Sequence, residues 1–135
     1  MAYLLDTNIC IGAMNERPAA LRARIFGAAN RGELIVISSV VVFELRYGVE
    51  KSARVSKNAR AVGEFLTDIE VIAFDADDAQ AAAQIRADLE RAGRPIGPYD
   101  CLIAGQAVRR GLTLVTANAR EFARVPGLAW ENWAE

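Results

Sequence analysis

The 135-residue sequence contains no histidine. This absence removes imidazole acid–base catalysis, serine–histidine triads and histidine-containing zinc sites. Cysteine is almost as scarce: Cys10 and Cys101 are too few for a disulfide framework and do not have metal-ligand spacing. We therefore expect two free, buried thiols in a cytoplasmic protein.

Long apolar stretches and a strong net charge are also missing. The longest apolar run, residues 34–43, contains two serines and is far shorter than the ~20 residues of a membrane span. Asp6 comes too early for a secretory signal peptide, so we predict no membrane segment. The formal net charge of −1 does not by itself indicate nucleic-acid binding. All basic residues except Lys51 and Lys57 are arginine, which suits phosphate and carboxylate, so local patches can still hold a polyanion.

Apolar residues make up 53% of the sequence and the mean hydropathy is positive, which is typical of a chain with a compact core. We predict one domain over residues 1–135, because no repeat, low-complexity segment or linker interrupts the pattern. Strand-like and helix-like segments alternate, which predicts a three-layer α/β/α fold with a mostly parallel central sheet. The first predicted strand ends at Asp6, and the other four cover residues 34–37, 70–74, 112–116 and about 128–130. The predicted helices cover residues 7–15, 18–30, 40–51, 55–67, 75–92 and 99–110, the last opened by Pro98. A short turn or helix is predicted at residues 121–125.

The first predicted strand ends in an acid. Leu4 and Leu5 run directly into Asp6, and Thr7 and Asn8 follow. In open α/β sheets ligands bind beyond the carboxyl ends of the strands, so Asp6 is a candidate for a metal or phosphate site. The structural alternative is that Asp6 only caps the helix that begins at Thr7.

Three further polar residues stand out. Glu44 lies early in a mostly apolar helix, where the alternative to a functional role is an ion pair with Arg46 or Arg60 on a wet face. Asp100 opens a helix whose next residues are apolar or small, and the alternative is a favourable interaction with the helix dipole alone. Asn118 comes just after the fourth strand, where the alternative is an ordinary turn residue.

These four polar residues can converge on one cleft of an α/β/α sheet. Two carboxylates ~4 Å apart repel by roughly 4 kcal/mol at an effective dielectric of 20, so a fold tolerates them only with a shared proton or a divalent cation. Oxygen ligands without histidine or thiolate favour Mg²⁺ or Mn²⁺. Without imidazole, a metal must activate the attacking water with help from a carboxylate, which suits hydrolysis of a phosphodiester.

Four short segments occur in order along the chain: residues 5–8 (LDTN), 39–48 (ending in ELRYG), 96–104 (IGPYDCLIA) and 114–118 (LVTAN). Together with residues 120–128 and 132–133 they resemble the PIN-domain ribonucleases, in particular the VapC toxins of bacterial type II toxin–antitoxin pairs. Each segment is weak alone, but the resemblance covers nearly the whole chain.

The resemblance implies a Mg²⁺- or Mn²⁺-dependent endoribonuclease that acts on RNA as a toxin and arrests translation when free. It also implies a homodimer, and neutralisation by a small VapB-type antitoxin whose C-terminal part covers the cleft. Asp6 and Asp100 fall on the family's principal metal-ligand positions and Glu44 on its third acid. Asn118 falls where many members carry a fourth aspartate and others an asparagine, and nearby Glu121 is a candidate to supply the missing charge.

Two other functions stay open on the residues alone. One is a catalytically silent module that binds RNA or a partner through arginine patches. The other is a phosphotransfer domain with Asp6 as nucleophile, although Asn8 stands where the dehalogenase type repeats the acid, and no lysine follows residue 57 as a receiver domain requires. For the homodimer, the candidate contacts on helix faces are Phe43, Tyr47, Phe65 and Leu66.

Overall fold

In the computed structural model, which describes residues 1–134, strands and helices alternate as the sequence predicts. The strands are β1 (Ala2–Leu5), β2 (Leu34–Ser38), β3 (Glu70–Ile72), β4 (Thr113–Val115) and β5 (Trp130–Glu131); the helices are α1 (Thr7–Asn15), α2 (Ala19–Asn30), α3 (Ser39–Glu50), α4 (Val55–Thr67), α5 (Ala76–Arg91), α6 (Pro98–Arg110) and α7 (Ala119–Phe122). None of these helices is long and apolar enough to cross a membrane.

All five strands form one parallel sheet in the order β3-β2-β1-β4-β5. The central strand, β1, places Tyr3 opposite Ile35 of β2 and Thr113 of β4. Helices cover a parallel sheet on both faces, which is why its strands are largely apolar, and Leu4 and Leu5 are fully buried. The predicted α/β fold is confirmed, and the sheet is parallel in every strand pair that the structure describes.

The direction in which the chain crosses the sheet changes once. From β1 the chain moves through β2 to β3, and then returns to the other side of β1 to form β4 and β5. Right-handed crossovers therefore put α1 to α4 on one face and α5 to α7 on the other. The reversal point lies between β1 and β4, where α/β sheets form ligand-binding crevices.

The last part of the chain differs most from the sequence-based prediction. Strand β5 begins later than the predicted residue 128, and α7 begins earlier than the predicted residue 121. A tight turn separates them: Gly127 takes a φ of +79°, which suits glycine, and the Leu128 N–H donates to the Val125 carbonyl at 3.4 Å. Strand β3 is also shorter than predicted, because the N–H of Phe74 donates to the Ser39 hydroxyl instead of a strand partner.

Helix α6, which carries Asp100, packs closely against α5. Gly105 of α6 lies so near to α5 that a Cβ atom on it would be 2.5 Å from the Cα of Ala82. Real Cβ atoms do not approach a backbone so closely, and only glycine permits this helix spacing. The contact fixes the position of α6 relative to α5.

A buried ion network joins the same two helices. The Asp78 side chain is fully buried and accepts hydrogen bonds from Gln106 at 3.1 Å, Arg109 at 2.9 Å and Arg110 at 2.7 Å. Burial alone would raise the pKa of Asp78, but the hydrogen bonds from Arg110, the Asp75 N–H and Arg109 outweigh it and hold this pKa well below its usual range. Asp75 caps α5 as predicted, in a reciprocal capping box with Asp78.

Replacing Gly105 by alanine should destabilise the protein, because the new methyl group would overlap the α5 backbone and force the two helices apart. We expect the free energy of unfolding, measured by urea denaturation, to fall by about 1–3 kcal/mol or more. Gly63→Ala is the matched control: Gly63 also lies within a helix, but a Cβ there meets no atom within 4 Å, so the exchange should be neutral or stabilising. Equal effects of the two substitutions would contradict the close packing of α5 and α6.

Candidate active site

The carboxyl ends of β1 and β4 form the crevice at the reversal point of the sheet. Asp6 follows β1 directly, and its backbone N–H donates to the carbonyl of Val115 in β4 at 3.1 Å, so the ladder between the two strands extends as far as this acid. Asp6 is only 4% exposed, and Thr116, just after β4, is fully buried. A buried carboxylate requires compensating donors or charges, and the neighbours of Asp6 supply them.

Asp6 uses one carboxylate oxygen to cap α1. Its Oδ1 accepts a hydrogen bond from the Ile9 N–H at 2.9 Å, so Asp6 does cap this helix. Burial raises the pKa of Asp6, hydrogen bonds from the Thr116 side chain and the Ile9 N–H oppose this rise, and the negative charge of Glu44 adds to it. Capping therefore fixes the Asp6 carboxylate, but it does not explain why a second acid, Glu44, lies near it.

Glu44 reaches the same crevice from α3. The side chain is half-buried, and its Oε1 accepts a hydrogen bond from the Thr7 hydroxyl at 2.8 Å. Within residues 1–134 it makes no ion pair with Arg46 or Arg60, so that alternative is wrong. Because Thr7 opens α1, the bond joins the start of α1 to α3 and holds Glu44 near Asp6.

Asp100 lies in the first turn of α6, two residues after Pro98. Its pKa is raised to about 7, first by burial and then by the negative charges of Glu121, Asp6 and Glu44, and a side-chain hydrogen bond with Glu121 contributes as well. A helix dipole acting alone would favour the ionised form and lower this pKa. Burial and the neighbouring acids therefore outweigh the dipole, and three carboxylates act on Asp100.

Asn118 contacts the site through Glu121. Its backbone N–H donates to the Thr116 hydroxyl oxygen at 2.9 Å, and its Nδ2 donates to Oε2 of Glu121 at 3.1 Å. Glu121, in α7, raises the pKa of Asp100 in turn. The sequence indicates Glu121 only as a candidate to supply the negative charge that Asn118 lacks. Its position three residues after Asn118, in the first turn of a helix, is the pattern that could have indicated its contact with Asn118.

Four carboxylates thus act on one another at this edge of the sheet, and we call them the acidic cluster: Asp6, Glu44, Asp100 and Glu121. They come from four different elements, the end of β1 and the helices α3, α6 and α7. Of the four predicted site residues, the three acids (Asp6, Glu44 and Asp100) come together in the structure. The fourth, Asn118, contacts the cluster through its hydrogen bond to Glu121.

The chemistry of the acidic cluster suits a hard divalent cation. All its donors are carboxylate oxygens, which Mg²⁺ and Mn²⁺ prefer, and a cation would relieve the repulsion that raises the pKa of Asp100. Among residues 1–134, no three acidic or thiol side chains already converge closely enough to hold one ion. The carboxylates are bonded to protein donors instead, as Asp6 is to Ile9 and Glu44 to Thr7. Binding a cation therefore requires these carboxylates to move closer together.

Known proteins share both this fold and this sequence pattern. The family described as the PIN domain matches residues 3–128. The chain belongs to the PIN-domain family. This PIN-domain chain is 46% identical over 134 residues to the tRNA(fMet)-specific endonuclease VapC of Shigella flexneri, covering 99% of both chains. It is 43% identical over 133 residues to the tRNA(fMet)-specific endonuclease VapC of Salmonella typhimurium, covering 98% of both.

Solved structures of PIN-domain proteins agree. The crystal structure of VapBC2 from Rickettsia felis, bound to a DNA fragment from the promoter, superposes with a TM-score of 0.92 at 41% identity, covering 98% of this chain and 99% of that one. The predicted family and enzyme class, a VapC-type PIN-domain ribonuclease, are confirmed by these full-length matches. They do not favour the silent binding module or the phosphotransfer domain.

In the metal-free protein, Asp100→Asn should raise the melting temperature at pH 8. The folded state raises the pKa of Asp100 from 3.8 to about 7, so it retains a proton that the unfolded chain has already lost. Stability therefore falls as the pH rises through this interval. Asparagine removes the charge, and we expect the variant to melt roughly 3 °C or more above the wild type at pH 8 and to show a flatter pH dependence, measured by circular dichroism in EDTA.

The control for this experiment is Asp88→Asn. Asp88 is an exposed acid of α5 that pairs with Arg91, and exposed pairs contribute little, so its melting temperature should barely change. If Asp100→Asn melts at or below the wild-type temperature at pH 8, its neighbours do not repel the ionised carboxylate.

Proposed function

We propose that this PIN-domain chain is the toxin of a toxin–antitoxin pair, and that it hydrolyses RNA phosphodiester bonds at the acidic cluster with Mg²⁺ or Mn²⁺. The observation that carries the proposal is the crowding of four carboxylates at the reversal point of the sheet. Burial and then the other three acids raise the pKa of Asp100 to about 7. Similarity to VapC nucleases along the full chain supports it. A divalent cation would favour the ionised form of the cluster at neutral pH.

Asp6 and Asp100 are the two acids that we assign to the metal. Bonds to Val115 and Ile9 fix the backbone and the side chain of Asp6, so its carboxylate keeps one orientation. Asp100 is half-buried in the first turn of α6, and the close contact of Gly105 with α5 fixes the position of this helix. When bound, the cation would lower the pKa of an attacking water and offset negative charge on the phosphate.

Glu44 is the acid that we assign to proton transfer. In a chain without histidine, a carboxylate must accept the proton of the attacking water. The Thr7 hydroxyl occupies Oε1 of Glu44, which leaves Oε2 as the accepting atom. Glu121, which acts on Asp100, and Asn118, which bonds to Glu121, complete the site.

The names of the relatives suggest the RNA. Because the Shigella flexneri and Salmonella typhimurium proteins are named as tRNA(fMet)-specific, we place tRNA(fMet) first among the candidate substrates. Sequencing the cut ends of cellular RNA after brief expression tests this choice, and cuts confined to other RNAs would contradict it. Cys10 and Cys101 are both free and buried, which is in keeping with the cytoplasmic location that we propose.

An apolar groove leads across the surface to the acidic cluster. Its wide part, a cavity of about 440 Å³ between α2 and α4, is lined by apolar side chains such as Ile25 and Phe26. A second cavity of about 300 Å³ is lined by Glu44. Met14 and Ala61 line both cavities, so the two lie side by side, and we call them together the groove.

We assign this groove to the antitoxin. An amphipathic segment that lays its apolar side into a groove is a common mode of recognition. A segment that fills the wide part and continues past Met14 and Ala61 would end at Glu44 and cover the cleft. The solved VapBC2 structure, with its TM-score of 0.92, supports a VapB-type partner for this chain.

An exposed aromatic patch borders the acidic cluster on another side. Phe43 and Tyr47 of α3 stack with their rings 8° from parallel, and Tyr99 packs on Phe43 with ring centroids 5.6 Å apart. All three rings are exposed. Phe43 and Tyr99 directly precede Glu44 and Asp100, so a protein seated on this patch would lie beside the cluster.

We assign the aromatic patch to the homodimer, because exposed apolar patches mark sites of association. Two of the four residues expected at a dimer contact, Phe65 and Leu66, pack against the core instead and do not belong to the patch. Light scattering at micromolar concentration tests the assignment, and a monomeric mass would contradict it.

Asp6→Asn should abolish RNA cleavage while leaving the protein folded. Asparagine keeps Oδ1 as the acceptor for the Ile9 N–H, so the cap of α1 survives, but the charge that holds the cation is lost. We expect the rate of tRNA cleavage in Mg²⁺ or Mn²⁺ to fall by at least the roughly 100-fold that loss of an outer-shell group can cost. Thermal melting checks the fold. Full cleavage by a folded Asp6→Asn protein would refute the proposed role of the cluster.

Ala61→Arg should separate toxicity from neutralisation. Ala61 is exposed and lies where the two parts of the groove meet, so a long cationic side chain there would obstruct the antitoxin without touching Asp6 or Asp100. Cells that co-express the variant and the cognate antitoxin should stop growing, whereas wild-type toxin is neutralised. Ala83→Arg, at an exposed position of α5 outside the groove, is the control and should be neutralised normally. Normal neutralisation of Ala61→Arg would place the antitoxin elsewhere.

A further inference from the structure

Two hydrogen bonds place Asn118 beside the acidic cluster at the end of β4. Its backbone N–H donates to the Thr116 hydroxyl oxygen at 2.9 Å, and its Nδ2 donates to Glu121 at 3.1 Å. Thr116 lowers the pKa of Asp6, and Glu121 raises the pKa of Asp100. Asn118 therefore lies between the two residues that act on the acids assigned to the metal.

We propose that Asn118 is a positioning residue that acts by donating a hydrogen bond from Nδ2 to Glu121, and that it does not hold the metal through Oδ1. The proposal rests on the metal-dependent function proposed above. The amide nitrogen is the end of Asn118 that faces Glu121: Nδ2, which can only donate, lies 3.1 Å from Oε2 of Glu121.

The surroundings of Glu121 explain why it needs this donor. Glu121 lies in α7, which is a single turn of four residues, and its side chain is only half-buried. Neither the helix nor the packing fixes the carboxylate, and the bond from Asn118 does so from three residues away. The donor is also neutral. An arginine would orient Glu121 equally well, but its positive charge would compete with a cation, and an aspartate could not donate at all.

A double-mutant cycle on Mn²⁺ affinity tests the proposal. Wild type, Asn118→Ala, Glu121→Ala and the double variant are titrated with Mn²⁺ by calorimetry in the full-length protein. We expect Asn118→Ala to weaken Mn²⁺ binding roughly tenfold when Glu121 is present, and to have no further effect when Glu121 is absent. In RNA cleavage the same substitution should lower kcat and leave KM unchanged, because Asn118 does not contact the substrate.

Asn30→Ala, at the exposed end of α2, is the matched control and should bind Mn²⁺ as the wild type does. If Asn118→Ala does not fold, Asn118→Ser replaces it, since serine is favoured at the start of a helix but is too short to reach Glu121. Losses of affinity that add in the double variant would mean that Asn118 acts on the metal directly and would overturn the proposal, as would an unchanged affinity. A wild-type protein that neither binds Mn²⁺ nor cleaves RNA overturns the proposed function as well, whereas additive losses in an active protein overturn only the role of Asn118.

Discussion

Repulsion between like charges is the constraint on which this structure depends. Folding brings Asp6, Glu44, Asp100 and Glu121 to one edge of the sheet from four separate elements. A pair of ionised carboxylates ~4 Å apart costs on the order of 4 kcal/mol at an effective dielectric of 20, a large share of the roughly 5–15 kcal/mol by which a domain is stable. The buried parallel sheet and the tight α5–α6 contact at Gly105 must supply that excess. Neutral donors and a proton on Asp100 reduce it.

The acids at the start of α5 and those of the acidic cluster have opposite electrostatic surroundings. At the start of α5, Asp78 is fully buried, but arginines from α6 bond to it and hold its pKa well below the usual range. At the reversal point of the sheet, the charges acting on Asp100 are carboxylates, and its pKa is raised to about 7. The first group stabilises the packing of two helices. The second leaves repulsion in place, which is the condition under which a cation is bound.

Local signals explain what could be predicted from the sequence. An apolar run that ends in an acid marks Asp6, and an acid that opens an apolar helix marks Asp100, so both positions and the alternating fold followed from the pattern of residues. The partner of Glu44 did not, because Thr7 lies 37 residues away and becomes a neighbour only when α1 packs on α3. Glu121 could be named only as a candidate to supply a missing charge, since its action on Asp100 depends on where the turn after β4 places α7.

The groove that ends at Glu44 has a thermodynamic consequence. The charges that act on Asp6 and Asp100 are all negative, so they would attract both a cation and a positively charged segment of a partner. The cation and the segment would therefore compete for the same site. Linkage makes such competition reciprocal: by whatever factor the metal weakens binding of the segment, the segment weakens binding of the metal. The concentration of free divalent ions would then set how firmly the partner is held, just as the partner sets how much metal the enzyme retains.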